Sequence, residues 1–100
     1  MRLYHVTSKR KASSINRSGL DPAHATGKRQ AVWLVAASRI PWALAHTAAK
    51  PGRGNVRNLI VYTVQVPRRK LTRYARGIWY TPEIVRPDCW QPSAHWTDTP

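Results

Sequence analysis

One hundred residues carry 17 Lys and Arg against 4 Asp and Glu, a formal net charge of +13, with 42% apolar residues, five tryptophans and a single cysteine. That length makes one domain with one modest core, and the apolar fraction excludes a basic disordered tail. The lone Cys89 excludes an internal disulfide and leaves a structural zinc site without thiolate partners, while the absence of any apolar run of about 18 residues or of a signal-peptide layout points to a cytoplasmic chain with no membrane span.

Arg2 to Val6 reads as a short strand leading into Thr7 and Ser8. Ser8 is placed to cap a helix whose Ala12 and Ile15 share one face and whose end is marked by Gly19. Asp21 to Gln30, with Pro22 and Gly27, reads as a loop, and Ala31 to Ala36 is apolar enough for a strand buried on both sides. Ser38 is expected to cap a second short helix, with Pro41 in its first turn and Trp42, Ala45, His46 and Ala49 on one face. The spacing leaves His46 open between core, surface and pocket wall.

Lys50 to Arg57 forms a basic connection, and Leu59 to Val66 is the strongest strand. Its Leu59, Val61 and Thr63 fall on one face, and Ile60, Tyr62, Val64 and Val66 on the other. After Pro67 the run Arg68-Arg69-Lys70 breaks the sheet, and Gly77 to Thr81 forms a further strand. Residues 91–100, with Pro92 and Pro100, are expected as a tail on a single domain of residues 1–90.

Charge is unevenly placed: residues 1–82 hold 16 of the 17 basic groups and only Asp21 among the acids. Clusters occur at Lys9-Arg10-Lys11, Lys28-Arg29, Arg53 with Arg57, and Arg68-Arg69-Lys70 with Arg73 and Arg76. Such a field steers polyanions to the surface and gains affinity by releasing their counterions. The expected partner is nucleic acid, with RNA favoured, or an acidic protein, held by Lys9, Arg10, Lys11, Arg68, Arg69, Lys70 and Arg73; a basic surface kept for solubility is the competing account. The chain has no G-x-S-x-G elbow, no phosphate-loop signature and no metal-spaced His, Asp and Glu set, so no metal site is expected.

One set of landmarks runs through the chain in order. Leu3-Tyr4-His5-Val6-Thr7-Ser8 is followed by Ile15, Gly19-Leu20 and Pro22; Arg29-Gln30-Ala31-Val32-Trp33-Leu34-Val35 leads into Trp42-Ala43-Leu44-Ala45-His46; Leu59 to Val66 follows; Gly77-Ile78-Trp79-Tyr80-Thr81 closes with Ile84-Val85 and Pro87. Over residues 3 to 88 this layout resembles the NAD-binding core of ADP-ribosyltransferases, and most nearly that of the tRNA 2′-phosphotransferases. The resemblance implies a small α+β domain, two short helices packed on a split antiparallel-rich sheet. It also implies NAD as cofactor, with His5 on a ribose hydroxyl, Thr7 and Ser8 holding the nicotinamide amide, Trp33 against the nicotinamide ring and Arg29 on the pyrophosphate. Taken alone, His5 in an amphipathic strand is an ordinary packed or surface histidine.

The departures bear on activity. Where the protein-modifying relatives carry a catalytic glutamate, this chain has Arg76. Glu83, the one glutamate, follows the closing strand by two residues and is the remaining acid near its end. The phosphotransferases also lack that glutamate, but carry an added N-terminal domain with an Arg-His pair that this chain is too short to hold. Two readings stand. In one, an NAD-using transferase moves ADP-ribose to a polyanion or removes a 2′-phosphate from it, with Arg76 and Glu83 as the candidate catalytic groups. In the other, an inactive transferase-like scaffold uses its basic face, interleaved with Trp and Tyr, to bind nucleic acid or an acidic protein.

Overall fold

The computed structural model describes residues 1–24, 30–49 and 58–92. Its strands are β1 (Arg2–Ser8), β2 (Val32–Val35), β3 (Leu59–Gln65), β4 (Thr72–Ala75), β5 (Ile78–Thr81) and β6 (Cys89–Pro92), and its α-helices are α1 (Ala12–Ser18) and α2 (Ile40–Ala48). The strands form one sheet in the order β4-β5-β2-β1-β3-β6, with every neighbouring pair antiparallel. The α+β class, the two short helices and the antiparallel pairing agree with the sequence reading, whereas the sheet is one continuous layer of six strands and not split.

Both faces of the sheet are buried, and strand alternation sorts the core into two clusters. Leu3, Val32, Leu34, Ile60, Tyr62 and Val64 face α1, which contributes Ile15. Val35, Leu59, Val61 and Ile78 face α2, which contributes Ile40, Ala43 and Leu44. Leu34, Leu59 and Val64 are fully buried, and each contributes about 1.5–3 kcal/mol relative to an exposed side chain. Val66 and Leu71, on the connection from β3 to β4, and Val85, on the connection from β5 to β6, also pack on the α1 face. Hence the α1 face is roofed by a helix and two crossing segments, whereas α2 alone roofs the other among the described residues.

Several boundaries differ from the sequence reading, each for a local reason. β1 continues through Ser8 because Thr7 and Ser8 pair with Ile60 and Leu59. The Ser8 hydroxyl does act as a cap, accepting from the Arg10 N–H at 3.3 Å, but it caps a 3-10 turn over Lys9–Lys11 that precedes α1. Ser38 lies inside another 3-10 turn, and Arg39 takes the N-cap of α2 with no side-chain capping bond. Trp42, Ala45, His46 and Ala49 do share a face, and it is the solvent face, because burial of Ile40, Ala43 and Leu44 orients the helix. His46 is thus a surface residue, stacked on Trp42 at 4.9 Å.

Two strands escaped the sequence reading. β4 follows the basic run directly and pairs with β5 across the turn Arg76-Gly77, where Gly77 has φ +74. β6 takes Gln91 and Pro92, expected in a tail, into register with Val61 and Ile60. A proline is admissible there because β6 is an edge strand and its outer side needs no donor.

Candidate nucleic-acid interface

β1 holds a seven-pair register with β3 but meets β2 at one pair, Tyr4 with Val35. Past that pair a side chain replaces the backbone ladder: His5 Nδ1–H donates to the Trp33 carbonyl at 2.7 Å. A carbonyl only accepts, so the proton of the neutral ring sits on Nδ1. The β1–β2 seam is therefore held by the histidine, not by continuous rungs.

The faces on which the expected cofactor residues lie follow from alternation. Leu3 belongs to the α1 cluster while Tyr4 and Val6 pack with the α2 cluster, so His5 and Thr7 leave the sheet on the α1 side. Trp33 packs with the α2 cluster. His5 and Trp33 are adjacent through the backbone and opposite in face. Thr7 and Ser8 are buried, and the Ser8 hydroxyl is engaged in its cap. Arg29 lies outside the described residues.

Arg76 and Glu83 are not brought together. Arg76 is in the β4–β5 turn, where its carbonyl accepts from Arg39 Nε–H at 3.0 Å. Glu83 lies past the opposite end of β5, its backbone N–H on the Thr81 hydroxyl and its carboxylate 3.7 Å from Lys70 Nζ. That ion pair is exposed on both sides and adds little to stability.

What the fold does assemble is an aromatic group beside α2. Trp33 and Tyr80 are directly opposite in the β2–β5 register, with ring centroids 5.0 Å apart. Thr72 is opposite Tyr80, so alternation along β4 puts Tyr74 on the same face, where it meets Trp33 edge-on at 5.0 Å and 86°. Tyr74 remains 65% exposed. Tyr80 entered the sequence reading only as part of the closing strand, and Tyr74 did not enter it. The signal that would have found them is the Arg76-Gly77 turn, which pairs the two segments into a hairpin.

The basic turns lie at the same end of the sheet as this group. β1, running toward Ser8, ends at the same edge of the sheet from which β2 starts at Val32, at which β5 ends at Thr81, and from which β4 starts at Thr72. Lys9–Lys11 follows that end of β1, and Arg68–Lys70 precedes that end of β4. Lys9, Arg10, Arg68, Arg69, Lys70 and Arg73 are all exposed. Lys28, Arg53 and Arg57 fall outside the described residues.

Among the described residues no group of three or more His, Cys, Asp or Glu is arranged to hold a metal, and no helix is long and apolar enough to cross a membrane. Set against protein-family models and against curated proteins, the chain matches none.

Proposed function

We propose that this protein binds single-stranded nucleic acid, RNA in preference, on the part of the sheet that α2 leaves bare. Bases stack at Tyr74 and Trp33, and the sugar-phosphate backbone runs along Lys9–Lys11 and Arg68–Lys70. The observation that carries this reading is Tyr74, ordered edge-on against Trp33 yet 65% exposed, in a chain of net charge +13. An aromatic platform among cations suits bases that are already unpaired, because every base offers a π-face and a single strand leaves it free. Unstacked bases in loops and at ends are the usual targets of RNA-binding proteins, which is the reason for preferring RNA over DNA.

Strand binding stands ahead of an NAD-dependent transferase because His5 and Trp33 occupy opposite faces and Arg76 stands far from Glu83 along β5. Titration of a short labelled single-stranded RNA at several salt concentrations, with single-stranded DNA and duplex RNA as comparisons, tests it. The single-stranded RNA binds best and its affinity falls steeply with salt. Equal affinity for duplex RNA removes the stacking role.

A further inference from the structure

On the opposite face of the sheet, a pocket of about 220 Å3 opens between α1 and the start of β6, lined by Ile15, Asn16, Tyr62, Arg86, Asp88 and Trp90 among others. Tyr62 and Trp90 are directly opposite in the β3–β6 register, so both side chains leave the sheet here. Tyr62 is 1% exposed, and its hydroxyl has no hydrogen-bond partner among the described residues. Buried hydroxyls nearly always have one, so the orphan marks an open hydrogen-bonding position at this pocket. Trp90 at the rim is 51% exposed, an indole with an open face. Arg86 and Asp88 are exposed and bring both signs of charge to one opening.

Size narrows the occupant. The volume is below the roughly 300 Å3 at which pockets for drug-sized ligands begin, so one ring system fits and a dinucleotide does not. We infer that this pocket binds the base of a nucleoside monophosphate, with the ring stacked on Trp90, a ring carbonyl accepting from the Tyr62 hydroxyl, base N–H groups donating to Asp88, and the phosphate at the rim on Arg86. Guanine carries the carbonyl and amino groups that this set demands. The Tyr62 hydroxyl is covered in the free protein, so the base reaches it only as the pocket lining shifts. The site lies across the sheet from Tyr74 and does not depend on strand binding there. Its ligand comes either from a free mononucleotide or from the phosphorylated end of a strand.

Calorimetric titration with guanosine 5′-monophosphate, guanosine, inorganic phosphate and a 5′-phosphorylated dinucleotide beginning with guanosine tests the site. The monophosphate binds; guanosine binds about tenfold more weakly; phosphate alone does not bind. Arg86→Ala brings the monophosphate down to the level of guanosine. Tyr62→Phe keeps the ring, removes only the orphan hydroxyl, folds as well as the parent and binds the monophosphate about tenfold more weakly. Dinucleotide binding equal to the monophosphate assigns the site to strand ends, and binding of the monophosphate alone assigns it to free nucleotide. No heat with millimolar monophosphate overturns the proposal, as does phosphate binding as tightly as the nucleotide or an unchanged affinity in Tyr62→Phe.

Discussion

His5 and Trp33 are joined by a 2.7 Å hydrogen bond from Nδ1–H to the backbone carbonyl, while their side chains leave the sheet on opposite faces. The histidine is therefore a strut across the β1–β2 seam. His5→Ala leaves the Trp33 carbonyl unpaired and lowers stability by about 1–3 kcal/mol, or roughly 4–8 °C in Tm for each kcal/mol. Thermal unfolding checks this. An unchanged Tm together with a lost NAD affinity would instead return His5 to the cofactor role that the motif implies.

Gly19 ends α1 at φ +80, donating its N–H to the Ile15 carbonyl at 2.7 Å. A Cβ there would stand 3.0 Å from the Val85 carbonyl oxygen, which is backbone and held by the Leu20–Val85 bridge. At Gly77 the added Cβ would meet Arg39 Cγ at 2.8 Å, and that side chain can swing away. Both substitutions to Ala strain a positive φ, but Gly19→Ala is expected to cost more than about 1 kcal/mol and to exceed Gly77→Ala. Urea unfolding of the two variants gives the ranking.

Burial pushes the Tyr62 phenol above its usual pKa near 10. The unfolded chain therefore loses that proton first, so above about pH 10 it binds fewer protons than the folded protein and stability falls as pH rises toward the folded value. Below pH 10 the contribution is fully present. Tyr62→Phe removes this dependence, so its stability relative to the parent is equal or greater at neutral pH and grows in its favour above pH 10. Chemical unfolding at pH 8 and pH 10.5 measures the difference, and a gap that shrinks at high pH would contradict it.

The core was legible because alternation on β3 states it twice, once for each face, and because Gly19 punctuates α1. β4 and β6 were not, since Thr72-Arg73-Tyr74-Ala75 and Cys89-Trp90-Gln91-Pro92 lack apolar alternation and are strands only through their partners in the sheet. The aromatic group was hidden for the same reason: Trp33 is separated in sequence from Tyr74 and Tyr80, and only the β4–β5 hairpin and its pairing with β2 unite them. The orientation of α2 was left open by the sequence. Its large aromatic, Trp42, drew attention to the face that the smaller Ile40, Ala43 and Leu44 leave to solvent.

Replacing Arg68, Arg69 and Lys70 together by Ala tests the electrostatic half of the interface. All three side chains are exposed, so the fold stands unchanged. The slope of log affinity against log salt for single-stranded RNA becomes shallower by about 0.7 for each phosphate that these side chains neutralise in the parent protein. An unaltered slope would move the phosphate path away from this turn.

The central claim is that Tyr74 is a stacking platform for a base, and one substitution isolates it. Tyr74 is exposed, so Tyr74→Ala leaves the core intact while removing the ring that meets Trp33. Fluorescence anisotropy with a short labelled single-stranded RNA at physiological salt, read beside the Tm of each protein, is the direct measurement. The account predicts an unchanged fold and an affinity lower by about 1–3 kcal/mol, roughly tenfold or more. Wild-type affinity in the folded Tyr74→Ala protein would contradict it.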